Sequence, residues 1–260
     1  MPSLSQRIAE IGKQCYAMVF GLRSGSTMLC DDLRHWGFGT PTEYFQEPMY
    51  FFDERPAREY ILQSIEETYG GWFGFKINWH QANSLIARLA AEGDCSPNAS
   101  LWSIFPGLRT IELVRNDKVL QAVSGWRAST THVWHVKHGD LSDPGRPPYD
   151  YDGILELFNA VITEEWFWKD QFAQYKVQPI HIEYEPYVED RLGTMRALAA
   201  YLGAPGTDGP IEDEMSMMRD EWSDEIAAQF RADTHGPNHE YWDIYERLRS
   251  EAKPSSTQAA

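Results

Sequence analysis

"YAMVFGLRSGSTMLCDDL", residues 16–33, decides the fold. An apolar run ends at Gly21, a short Gly/Ser/Thr loop follows, and an amphipathic segment starts near Ser26. A strand that stops where a helix begins builds an anion cradle. Gly21 and Gly25 permit backbone conformations that aim successive N–H groups into one concavity, and the helix adds unpaired donors and the positive end of its dipole. A triphosphatase loop reads GxxxxGK[ST], its lysine reaching the terminal phosphates and its hydroxyl binding Mg²⁺. In "GLRSGST" Ser26 stands where that lysine would be, and the cation is Arg23, whose planar fork suits a tetrahedral oxyanion without a metal. The competing reading is a plain strand-to-helix turn capped by Ser24.

Three further short apolar runs lie outward from this stretch: "WFGFKIN" (72–78), "RTIELVR" (109–115) and "QPIHIEY" (178–184). Helical patterns follow the four runs at 26–36, 80–92, 117–130 and 188–202, and a fifth, 153–172, precedes the last run. Strands separated by helices predict an α/β fold with a mainly parallel central sheet flanked by helices, since parallel strands need crossover connections. Ligands collect at the carboxyl ends of such strands. Two long connections, 37–56 and 135–153, lack an apolar period. The first is rich in aromatics, which either line a cleft or pack over the sheet edge; the second is a candidate wall of an acceptor site.

The stretch "LVRNDKVLQAVSGWRA" offers a second anion site. Arg115 closes an apolar strand, and Ser124 falls about two turns into the helix that follows, so its hydroxyl can face back to the strand end. Arg127, one turn on, either joins them or faces solvent. Two anion sites at two strand ends, one for a 5'-linked group and one for a lone phosphate, describe 3'-phosphoadenosine 5'-phosphosulfate (PAPS) better than ATP.

The chain resembles the bacterial PAPS-dependent sulfotransferases of the trehalose 2-sulfotransferase-like (Stf) family. "RSGST" (23–27), "TEYFQ" (42–46), "GFKINWHQ" (74–81), "RNDKVLQAVSGWRA" (115–128) and "IEYEPYVED" (182–190) occur in consistent order and together are specific. The resemblance implies a P-loop-like three-layer sandwich. It implies that Arg23, Ser24, Gly25, Ser26 and Thr27 hold the 5'-phosphosulfate while Arg115 and Ser124 hold the 3'-phosphate, with PAP as product. It also implies an acidic catalytic base just after the first helix, a place that Glu43 takes here. The family's commoner form has a second acidic residue a few positions earlier; "GTPT" stands there instead, so the substrate contacts of that region do not transfer. A homodimer is a further implication.

Sulfuryl transfer needs donors aimed at the leaving phosphate oxygen and a base for the acceptor proton. Arg23, with the 24–27 amides and hydroxyls, supplies the first; Glu43 is the candidate base and His80, after the second strand, its rival. Lys76 in that strand is a candidate donor to the sulfuryl group, or else is paired in structure. His132, His135 and His138 recur every three residues, but no nearby Cys or carboxylate completes a metal set, and no metal is expected.

The 260 residues are 42% hydrophobic, enough for one large domain, expected over 1–235 with a C-terminal extension at 236–260. A net charge of −16 argues against nucleic acid or an anionic membrane as partner, so an anionic ligand must be gripped locally. Cys15, Cys30 and Cys95 lack metal-ligand spacing and read as reduced thiols. Arg7, Glu10 and Lys13 interrupt the apolar core a signal peptide requires, and no run reaches membrane-span length, so a cytoplasmic setting is expected. The expected partner is a small-molecule hydroxyl acceptor, a sugar or glycolipid. An ATP-dependent kinase and a non-catalytic nucleotide-binding protein remain the alternatives.

Overall fold

The computed structural model describes residues 2–46, 55–136, 143–212 and 218–234. In chain order the elements are α1 (Leu4–Ile11), β1 (Gln14–Phe20), α2 (Ser26–His35), α3 (Ala57–Glu67), β2 (Trp72–Ile77), α4 (Trp79–Ala91), α5 (Leu101–Ile104) and β3 (Arg109–Val114). They continue with α6 (Lys118–Thr131), α7 (Tyr151–Tyr175), β4 (Ile180–Glu183), α8 (Tyr184–Glu189), α9 (Arg191–Tyr201) and α10 (Glu221–Thr234). The four strands form one parallel sheet in the order β2-β1-β3-β4. The α/β architecture expected from the apolar runs is present.

Residues group into two compact units. Among the described residues, the first holds 2–46, 55–116 and 164–212, and the second holds 117–136, 143–163 and 218–234. The first contains the sheet, covered on both faces. Along β1, Cys15, Ala17 and Val19 enter one apolar cluster with Phe73, Phe75, Ile77 and residues of α1, α3 and α4. Tyr16 and Met18 enter another with residues of α2 and α9. This alternation is the period of two of a strand, read on a sheet with no solvated face, which is why the sequence shows continuous apolar runs. Gly74 has a specific reason: a Cβ there would lie 2.1 Å from Cζ of Tyr16, whose ring crosses it to donate to Phe38 O at 2.9 Å. The second unit has its own core, in which Val119, Leu120 and Val123 of α6 meet Ile154 and Phe158 of α7 and Trp222, Ile226 and Phe230 of α10.

One boundary differs from the sequence reading. The run 178–184 is strand only over Ile180–Glu183, and Tyr184 opens α8, so the single helix expected over 188–202 is two. Pro186 lies in the first turn of α8, where a missing N–H costs no helical bond. Asp190 then ends that helix and caps α9, accepting from Gly193 N–H at 2.8 Å. Among the described residues no helix is long and apolar enough to cross a membrane. The 236–260 extension, and His138 of the 135–153 connection, lie outside the described residues.

Candidate active site

The loop that joins β1 to α2 leaves the carboxyl edge of the sheet in a conformation few residues tolerate. Arg23 has φ 61° and Gly25 has φ 89°, both left-handed. Ser24 N–H donates to Gly21 O at 3.3 Å, turning the chain back on itself. Gly25 is the N-cap of α2 and supplies no side-chain hydrogen bond, so Ser24 does not act as the cap. Ser24 is fully buried, and its Oγ has no hydrogen-bond partner among the described residues. An unsatisfied buried hydroxyl costs about 1–3 kcal/mol. An oxyanion seated in the loop would remove that cost.

Cationic charge is gathered at the same place. Burial, reinforced by the charge of Arg115, pushes the Arg23 guanidinium down to about 10, although the nearby Tyr184 works the other way. Arg115 emerges just after β3 and lies over the Tyr184 ring, 5.2 Å from its centroid. Its Nε is 3.8 Å from Glu185 Oε1, while Asn116 N–H donates to Glu185 Oε2 at 2.9 Å. Tyr184 also abuts the loop, since a Cβ at Gly25 would lie 2.4 Å from its Cδ2. Two like charges held this close in a poorly solvated site favour an anion between them.

A carboxylate stands on the other flank of the loop. Thr42 forms an isolated parallel bridge with Phe75, and Lys76 N–H donates to Thr42 O at 3.0 Å. This brief pairing sets Glu43 alongside Lys76. Lys76 Nζ is 2.8 Å from Glu43 Oε1 and donates to Thr27 Oγ1 at 3.3 Å, with its ammonium 5.2 Å from the Phe20 ring centroid. Gln81 Nε2 donates to Glu43 Oε2 at 2.8 Å. Lys76 is thus tied to the anion loop and to the carboxylate at once. The structure brings together Arg23, Ser24, Gly25, Ser26, Thr27, Glu43, Lys76 and Arg115 within the first unit. Chemically, the arrangement can hold an oxyanion at the loop and orient a carboxylate beside it.

His80 is the second residue of α4 and exposed. Ser124 is half-buried in α6, in the second unit. Arg127 does not face solvent. It is 3% exposed, forks onto Asp220 at 3.1 Å through both terminal nitrogens and donates to Gly145 O and Met218 O. Arg231 pairs with Asp117 and Arg219 with Asp224, so both serve the second unit's own structure. His132 ends α6 in a left-handed conformation.

Three functional candidates escaped the sequence reading: Tyr184, Gln81 and Glu164. Tyr184 ends the apolar run 178–184, and its place in "IEYEPYVED" is the signal for it in the sequence. Gln81 follows Asn78 by three residues, the spacing of a capping box. Glu164 accepts hydrogen bonds from Trp79 N–H, the first amide of α4, and from Trp168 Nε1 at 2.7 Å. Burial raises its carboxyl to about 7 despite those donors. Nothing in the local pattern of α7 distinguished it.

The Stf0 sulphotransferase family profile matches residues 53–233. The matched segment begins after the anion loop and Glu43. Trehalose 2-sulfotransferase of Mycolicibacterium smegmatis is 29% identical over 257 residues, covering 84% of this chain and 94% of its own. The protein of the same name from Mycobacterium tuberculosis is 28% identical, covering 82% and 94%. The crystal structure of a sulfotransferase from Alicyclobacillus acidocaldarius shares the fold, with a TM-score of 0.51 at 15% identity over 91% of this chain and 95% of that one.

Proposed function

The chain belongs to the Stf0 sulphotransferase family, and from that premise we propose that it transfers the sulfuryl group of PAPS to a hydroxyl of a carbohydrate or glycolipid-type acceptor, with Glu43 as general base. The observation that carries the reading is the single cluster in which Arg23, Arg115 and the unpartnered Ser24 hydroxyl surround one loop while Lys76 links that loop to Glu43. The two relatives named for trehalose sulfation support a sugar hydroxyl as acceptor.

Bound PAPS supplies the sulfuryl group and a phosphate that leaves as the bridging S–O bond breaks. Arg23 and the amides and hydroxyls of residues 24–27 stabilise the charge that grows on that phosphate. Lys76 neutralises charge between the transferring group and Glu43. Glu43 takes the acceptor proton as the acceptor oxygen bonds to sulfur, and passes it to solvent afterwards. Arg115 holds the 3'-phosphate, and Ser124 is assigned to the same phosphate. The metal-independent enzyme acts as one catalytic domain over 1–235, in the cytoplasm, as a homodimer.

The test is incubation of purified protein with ³⁵S-labelled PAPS and a crude metabolite and lipid extract, with trehalose alone in parallel, followed by mass spectrometry of whatever gains label. Label in a sugar-containing product that vanishes in Glu43→Gln is the expected result. Failure of folded protein to bind PAP, or phosphoryl transfer from ATP that requires Mg²⁺, would overturn the reading.

A further inference from the structure

Gln81 carries two jobs at once, and the way it does the first dictates how it does the second. It is the third residue of α4 and 5% exposed. Its backbone N–H donates to Asn78 Oδ1 at 2.9 Å, and its own Oε1 accepts from Asn78 N–H at 3.1 Å, closing a reciprocal capping box. A primary amide has one acceptor end and one donor end. With the oxygen committed to the cap, the nitrogen must face the other way, and there it donates to Glu43 Oε2 at 2.8 Å. Glu43 Oε1 meets Lys76, which in turn donates to Thr27 in the anion loop.

We propose that Gln81 is a positioning residue for the reaction: the capping box locks its amide so that it can only donate to Glu43, holding that carboxylate in one rotamer. The inference rests on Glu43 as the general base. An ionised carboxylate accepts both bonds without rearrangement, and each of its oxygens keeps a second lone pair for the acceptor proton. Stability of α4 and reactivity of Glu43 therefore meet in one side chain.

Two variants separate those jobs. Glutamate is as good a third residue of a capping box as glutamine, so Gln81→Glu keeps the cap but sets a carboxylate against Glu43. Gln81→Met removes both bonds. For Gln81→Glu, assayed under conditions where circular dichroism shows it fully folded, we expect kcat for sulfuryl transfer from PAPS lowered by about tenfold or more. The KM for PAPS stays within about twofold. For Gln81→Met, which loses the cap as well as the bond to Glu43, the urea unfolding midpoint falls. A Gln81→Glu protein with parental kcat would show that Gln81 only caps α4 and would overturn the inference. Glu43→Gln, assayed alongside, tells the two ideas apart. If it retains turnover, the base assignment fails and takes this inference with it. If it loses turnover while Gln81→Glu does not, only the inference fails.

Discussion

Gly25 and Tyr184 are in contact so close that a single methyl group on Gly25 would lie 2.4 Å from Cδ2 of the tyrosine. The contact joins the anion loop to Arg115, because the same ring carries the Arg115 guanidinium. Gly25→Ala therefore meets two penalties, the left-handed φ of 89° and the overlap with a ring. PAP affinity is expected to drop by at least about tenfold. Calorimetric titration with PAP checks it, and Tyr184→Ala added to Gly25→Ala should relieve the overlap without restoring the Arg115 stack.

Lys76 spans the loop and the carboxylate, so removing its charge should damage turnover more than binding. Lys76→Met is expected to lower kcat by about 100-fold while changing PAP affinity by less than about fivefold. Turnover of labelled PAPS and calorimetric titration with PAP test both statements.

Arg115 and Arg23 repel one another across a poorly solvated site. Arg115→Met should weaken PAP binding by at least about tenfold and, by removing a like charge, raise the Arg23 pKa above its value of about 10. In the parent, PAP affinity should fall as pH approaches 10 and Arg23 loses its proton. In Arg115→Met that fall moves to higher pH. Binding titrations between pH 8 and 10.5 distinguish the two curves.

Glu164 makes stability depend on pH. Its carboxyl titrates near 7 in the folded protein against an ordinary value of 4.5, so folding favours the neutral acid. That contribution is complete below pH 4.5 and is lost as pH rises to about 7. Glu164→Gln keeps an acceptor for Trp79 N–H and Trp168 Nε1 while removing the ionisation. The variant should be more stable than the parent at pH 8, by on the order of 2 kcal/mol, and indistinguishable at pH 4.5. Urea unfolding at the two pH values reads the difference.

Much of the architecture was legible along the chain because β1, β2 and β3 are buried on both faces and so appear as unbroken apolar runs. Each helix of the α2, α4, α6 and α7 set follows its own period and starts within about two residues of where the pattern places it. The β4 boundary was not legible, because Tyr184 suits a strand as well as a helix start and only Pro186 and the Asp190 cap decide between them. Helices α1 and α3 carry apolar stripes too short to stand out and are recruited by packing on the sheet.

At the site, the sequence by itself determined the anion loop. Arg23, Ser24 and Gly25 are neighbours in the chain, and a strand meeting a helix at a glycine allows few geometries. It also determined that Glu43, Lys76 and Arg115 were worth considering. Tertiary structure alone decided that Lys76 pairs with Glu43, that Gln81 holds the other oxygen, that Tyr184 carries Arg115 to the loop, and that Arg127 belongs to Asp220 instead. The physical reason is range: local backbone preferences act over a turn or a strand, whereas an ion pair depends on which distant segments the core draws together. Here one isolated bridge, Thr42 beside Phe75, made that choice.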